Sequence, residues 1–286
     1  MGAAFLITLR EGIEAALIVS ILLAYLRKLG RTDRSKLVWW GTAAAVVVSL
    51  VVGGVVFSVA GEFEGTAEEV FEGLVSLSAV GVLTWMIFWM RRQAARIKSE
   101  LQERVDAALL GGGFALASLA FVVVLREGVE TALFLFATAK ATAQGAGGAV
   151  GQAAGSALGL GTAFVLGYLL YRGGIRLNLR TFFKVTGALI LVVAAGLFAF
   201  SLHELQEAGW LPILTGTAYD ASAILPDADG LGSLLRAVVG YNDDPTWLEV
   251  VAWAGYLVVT GALFLRPSAP TPAAAAPERA REDVAR

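Results

Sequence analysis

Phe5-Leu-Ile-Thr-Leu-Arg-Glu-Gly-Ile-Glu-Ala-Ala-Leu-Ile18 returns later in the chain as Phe121-Val-Val-Val-Leu-Arg-Glu-Gly-Val-Glu-Thr-Ala-Leu-Phe134. Arg10, Glu11, Gly12 and Glu14 recur as Arg126, Glu127, Gly128 and Glu130. Phe5, Leu9, Ala16 and Leu17 recur as Phe121, Leu125, Ala132 and Leu133. Both blocks are otherwise apolar. An ionised carboxylate is costly in hydrocarbon, so ionisable residues within such a segment are functional candidates by default. Six of them, in two matching sets, point to one site built from two copies of a motif.

The rest of the chain suits that setting. Of 286 residues, 57% are hydrophobic and 16% charged, and the mean hydropathy is +0.71. Apolar runs of about 20 residues, the length that spans a bilayer as a helix, fall at 3–26, 37–59, 69–90, 112–138, 149–170, 184–204 and 247–265. These predict an all-α polytopic membrane protein with seven transmembrane helices. Residues 1–266 form its membrane domain. The stretch 267–286, rich in Pro and Ala with mixed charge, reads as a disordered cytoplasmic tail. The first apolar segment has no basic residue before it and contains Arg10, Glu11 and Glu14, so it reads as a retained helix, not a signal peptide. The absence of cysteine excludes disulfides and thiolate metal sites. No lysine follows the glycine spacing of a phosphate-binding loop, which excludes ATP hydrolysis by that route.

Charge sets the expected orientation. Arg27, Lys28, Arg31, Arg34 and Lys36 follow the first segment, and Arg91, Arg92, Arg96, Lys98 and Arg104 follow the third. Arg172, Arg176, Arg180 and Lys184 follow the fifth, and Arg266, Arg279, Arg281 and Arg286 follow the seventh. By the positive-inside rule these loops are cytoplasmic, with the N-terminus outside and the C-terminus inside. The opposite loops are acidic: Glu62, Glu64, Glu68 and Glu69 before the third segment, and Glu204, Glu207, Asp220, Asp227, Asp229, Asp243, Asp244 and Glu249 around the sixth loop. Such a field gathers cations.

The motif helices are the first and the fourth, so they cross in opposite senses. Helices 1–3 and 4–6 then form an inverted repeat, an arrangement typical of secondary transporters with a site at the repeat interface. Within each motif, residues four apart share a helix face, so Arg10 is expected to pair with Glu14 and Arg126 with Glu130. Gly12 and Gly128 are expected to let another backbone come close. Gly151, Gly155 and Gly159 form a small-residue packing stripe.

Four glutamates and two arginines leave two surplus negative charges when all are ionised. Oxygen ligands suit hard cations such as iron, manganese, magnesium and calcium. One histidine, three methionines and no cysteine argue against a dedicated zinc or copper(I) path. Glu72 is the nearest further carboxylate by position, with Glu69 one turn above it and Glu68 beside that.

Two Arg-Glu-Gly-x-Glu motifs on the first and fourth of seven helices resemble the high-affinity iron permease family, the oxidase-dependent iron transporters of fungi and the EfeU-type permeases of bacteria. The resemblance extends to Glu72–Gly73, the Trp-Met run at Trp85–Met90, the stretch His203–Trp210 and the Gly-Tyr…Pro stretch at 240–245. It implies iron as the transported substrate, carried by Glu11, Glu14, Glu127 and Glu130, with no resident cofactor and no enzymatic activity. It also implies a plasma-membrane location and separate extracytoplasmic partners, an iron-binding protein and a haem peroxidase. Nothing in the chain suggests nucleic acid as a partner.

Other readings of the same residues exist. The motifs could be structural Arg–Glu clamps, although a clamp needs no surplus carboxylates. Glu68 and Glu69 sit where a helix N-terminus favours acids, and His203 and Glu204 sit at a helix end. Asp227-Ala-Asp229-Gly230 reads as a turn, and Leu231–Val239 as a short interfacial helix with Arg236 on its polar side. A transporter or exchanger of another hard or borderline cation, such as lead or manganese, would use the same carboxylates. A glutamate-dependent intramembrane protease would need histidine near the motif, and the single histidine is elsewhere.

Overall fold

The computed structural model describes residues 1–60, 65–93, 97–111, 113–141, 148–172, 178–228 and 230–266. The expected tail at 267–286, and with it Glu62, Glu64 and Asp229, lies outside the described residues. The rest is nearly all helix: α1 (Gly2–Lys28), α2 (Ser35–Ala60), α3 (Thr66–Gln93), α4 (Ile97–Leu110), α5 (Gly113–Ala141), α6 (Gly148–Arg172), α7 (Leu179–Glu207), α8 (Gly230–Val239) and α9 (Trp247–Leu265). Each of the seven apolar runs coincides with a long helix. Five of these, α2, α3, α6, α7 and α9, are long and apolar enough to cross a membrane. The motif helices α1 and α5, of 27 and 29 residues, are as long but carry the charged words. Two further helices are short. The expected interfacial segment is α8, and α4 forms within the charged connection after the third apolar run, which the charge pattern marks only as an expected cytoplasmic loop.

Helix ends follow local chemistry. After α1, Gly30 takes φ +71° and the Arg31 N–H reaches back to the Leu26 carbonyl at 2.9 Å, while Arg27 and Lys28 face the negative end of the dipole. Asn178 caps α7 by accepting from the Thr181 N–H, and Thr246 with Glu249 forms a reciprocal capping box on α9.

The long helices pair in an exchanged pattern. In α6, a Cβ on Gly155 would lie 2.3 Å from the Met1 carbonyl oxygen, and one on Gly159 would lie 2.6 Å from that of Phe5; Gly167 faces Ala16 further along. The glycine stripe is thus the seat of α1, which runs parallel to α6. In α2, Gly41 lies against the Ala117 carbonyl, Gly53 meets Ala132, and Phe57 packs on Phe136 at 5.2 Å, so α2 runs parallel to α5. Helices α3 and α7 cross in opposite directions, with Gly73 against Ser201 and Leu205 and Gly187 against Ile87. The first helix of each triplet, α1–α3 or α5–α7, therefore packs on the second helix of the other.

The motif glycines join this exchange, but not as expected. Gly12 faces the Ala163 side chain of α6, and Gly128 faces the Ser49 hydroxyl of α2. The close neighbours are small side chains. Backbone approach occurs instead at Gly41, Gly155 and Gly159.

Candidate metal site

Where α1 crosses α5, Glu11, Glu14 and Glu127 are buried and each offers a carboxylate oxygen within 4.8 Å of the others. Among the described residues this is the only group of three or more potential ligands at such spacing. Glu11 and Glu14 share one face of α1 by their three-residue spacing, and Glu127 enters from α5. Glu130 lies a turn further along α5 and is partly buried.

Arg10 holds Glu14 as its spacing predicts, with Nε 3.1 Å from Oε1 and both side chains enclosed. In the second copy the expected pair of Arg126 with Glu130 is present, but the arginine has a closer partner. Arg126 donates to the neighbouring Glu127, from Nη2 at 2.6 Å and from Nε at 3.2 Å, and its contact with Glu130 is longer at 3.5 Å. The physical reason is the setting: the Arg126 side chain is 45% exposed against 2% for Arg10. With room to swing, it lies over the Trp89 ring at 5.5 Å, as a cation does over an aromatic face, and forks onto Glu127.

Several oxygens here lack a donor. Both carboxylate oxygens of Glu11, and Oε2 of Glu127 and of Glu130, are buried without a hydrogen-bond partner, as is Nη1 of Arg10. Buried charged groups left unsatisfied are rare and destabilising. Converging anionic oxygens without donors suit an oxygen-seeking cation.

The other candidate carboxylates stand apart. Glu68 and Glu72 lie in the first turns of α3, where Lys140 of α5 pairs with Glu68 at 3.1 Å and also with Glu72. Glu69 is half-buried beside them, and Glu204 is half-buried near the end of α7. Glu72 and Glu204 flank the α3–α7 crossing at Gly73, which lets the Ser201 carbonyl approach. None of these four joins the cluster at Glu11.

His203 serves a different structure. Its Nδ1 is 2.9 Å from Oε1 of Glu249, whose Oε2 accepts from Asn242 at 3.0 Å. By sequence Glu249 belongs with the outer acidic field, but it is buried and caps α9. These residues and the paired Asp227 and Arg236 line a separate cavity of about 160 Å³ that contains no motif residue. Sequence pattern alone does not mark Lys140 or Asn242 as functional, nor Glu249 as a buried cap. The one available signal for Lys140 is its position, one of two basic residues, with Arg236, in the connections that read as acidic.

The comparisons with known proteins concern nearly the whole chain. The model of the Iron permease FTR1 family matches residues 1–269. The ferrous iron permease EfeU of Escherichia coli strain 536 is 42% identical over 270 residues, which cover 93% of this chain and 96% of the relative. The protein of the same name from Shigella sonnei is also 42% identical with the same coverage. That of Yersinia pestis is 38% identical, over 93% of this chain and 94% of its own length. No solved structure matches the chain. With its doubled Arg-Glu-Gly-x-Glu motif on α1 and α5 and a family match from end to end of its helices, this chain belongs to the Iron permease FTR1 family.

Proposed function

We propose that the protein imports iron across the plasma membrane, with Glu11, Glu14, Glu127 and Glu130 as the central ligands. The observation that carries this reading is the meeting of three buried carboxylates within 4.8 Å, with oxygens left unpartnered between two copies of one motif. The similarity to proteins named ferrous iron permease supports iron as the ion and ferrous iron as the form presented.

In this reading residues 1–266 form a seven-helix membrane domain and 267–286 a cytoplasmic tail. The N-terminus is outside, so Met1, Lys140 and His203 mark the outer end. The triplets α1–α3 and α5–α7 form the inverted repeat, which the exchanged pairing of α1 with α6 and of α2 with α5 supports. Glu68, Glu69, Glu72 and Glu204 form an outer rim that collects the ion. A separate extracytoplasmic iron-binding protein and a haem peroxidase deliver it.

The ion then reaches the central cluster, where Glu11, Glu14 and Glu127 replace part of its water shell. Arg10 and Arg126 neutralise Glu14, Glu127 and Glu130 between ions and yield them to the metal. Rocking of the triplets opens the site inward. The membrane potential supplies about 2.3 kcal/mol per charge for each 100 mV, hence about 4.6 kcal/mol for a divalent ion.

The test is uptake of radioactive iron by cells making the wild type or Glu11→Gln, Glu14→Gln, Glu127→Gln or Glu130→Gln. The amide keeps the shape of the side chain and removes its charge. Each variant should insert normally and lose most uptake. Wild-type uptake in any two of them would overturn the assignment.

A further inference from the structure

Ten residues beyond Glu130 on α5, about 15 Å along a helix, Lys140 reaches across to α3 and pairs with Glu68 and Glu72 together. Glu72 is buried, and the Lys140 side chain is only 23% exposed. The molecule thus holds two layers of carboxylates, each already fitted with a protein cation: arginines at the centre and one lysine nearer the outer end. The lysine differs in kind. Its ammonium is a compact charge on a flexible stem, able to leave and return, whereas Arg10 is enclosed.

A group tethered beside its partners competes with free ligands at high effective concentration. A metal that binds Glu68 and Glu72 must displace the ammonium. We propose that Lys140 is a tethered counter-cation that occupies the outer carboxylate pair between ions and sets the affinity threshold for entry. This rests on the iron-import reading above. Abundant cations that bind oxygen weakly, such as calcium and magnesium, fail to displace the lysine at their ambient levels. A cation that binds strongly succeeds. When that ion moves inward, the returning ammonium keeps the pair from holding the next weak binder. Lys140 positions the entry step and does not itself hold the metal.

Removing a tethered competitor lowers the half-saturation for iron and the inhibition constant for calcium by the same factor. Lys140→Met keeps the length and removes the charge. We expect both constants to fall about tenfold together, which corresponds to about 1.4 kcal/mol of lysine pairing, and Lys140→Arg to restore both toward wild type. A purely structural tie between α3 and α5 would instead lower the amount of folded protein or the maximal rate and leave both constants unchanged, which would overturn the proposal.

A second measurement needs no variant. In purified wild-type protein, reductive methylation read by mass spectrometry should find Lys140 more reactive as manganese(II) is added, with Lys36 unchanged. Lys140 reactivity that stays flat at saturating manganese would also overturn the proposal. Cells lacking the protein serve as the baseline for uptake. Wild-type uptake no higher than that baseline would reject iron import itself, whereas normal wild-type uptake with unchanged constants in Lys140→Met rejects only the role of the lysine.

Discussion

Arg10 and Arg126 hold matching places in the two copies of the motif, yet Arg10 is sealed against Glu14 while Arg126 is half-exposed and bound to Glu127. A site built from two copies has thereby become unequal. At one end the Lys140 pairs close α3 onto α5. Toward the other end of α3, Arg126 rests on Trp89, which itself stacks on Trp85 at 5.9 Å. The two copies of one motif thus sit in unequal surroundings, one enclosed and one open along α3.

That inequality separates two substitutions. Arg10→Ala leaves Glu14 charged in an enclosed site, a loss on the order of 3–5 kcal/mol for breaking a buried pair. Arg126→Ala removes a half-exposed arginine but leaves the buried Glu127 without its donor, and should cost less, about 1–3 kcal/mol. Thermal unfolding in detergent should show a larger fall in Tm for Arg10→Ala than for Arg126→Ala, with added manganese recovering part of the former. Both variants should lose turnover more than metal binding. An equal loss of binding and transport would mark the arginines as structural clamps.

The glycine stripe of α6 makes a second, local test. Gly159→Val places a side chain where the Phe5 carbonyl and the Thr8 hydroxyl already stand, and α1 must move away. Gly161, two residues on, faces open space: a methyl group there would have nothing within 4 Å. Gly161→Ala should therefore be neutral or slightly stabilising through helix propensity. Size-exclusion profiles and Tm should separate the two variants. Equal behaviour would mean that α1 does not seat on this stripe.

Glu249 is placed to hold the start of α9 to the end of α7, apart from the central carboxylates. It accepts from Asn242 and the Thr246 N–H and also contacts His203, so Glu249→Ala removes a helix cap and leaves donors unpaired. A destabilisation of about 1–3 kcal/mol is expected. The half-saturation for iron should stay unchanged in the protein that folds. A raised half-saturation at normal stability would place Glu249 in the ion path.

Rim carboxylates should act on capture. Glu69→Ala and Glu204→Ala leave the central cluster alone and weaken the outer negative field. They should raise the half-saturation with near-normal maximal uptake. Charges more than about 8 Å apart are largely screened at physiological salt, so a field effect fades as salt rises, while direct coordination persists. Glu72→Ala should be more severe, since Glu72 is buried. A reduced maximal rate at unchanged half-saturation for Glu69→Ala and Glu204→Ala would instead assign those residues to translocation.

Much of this protein is legible without its fold. Apolar length places all seven long helices, because hydrogen bonding along a helix and hydrophobicity over about 20 residues are local properties. The spacing of Arg10 and Glu14 predicts their bridge for the same reason: residues four apart on a helix are neighbours wherever that helix goes. The doubled motif marks Glu11, Glu14, Glu127 and Glu130 as one candidate set through charge in an apolar setting alone. Tertiary packing decided the rest. Glu127 meets Glu11 and Glu14 because α1 and α5 cross at that register. Arg126 turns to Glu127 because its side of the crossing is open, and Lys140 finds Glu68 and Glu72 because α3 and α5 run in opposite directions. Glu249 leaves the acidic outer field for His203 because the end of α7 packs against the start of α9. Each of these partners is distant in sequence, apart from Glu127 beside Arg126, and no periodicity within one helix can say which face of another it will meet.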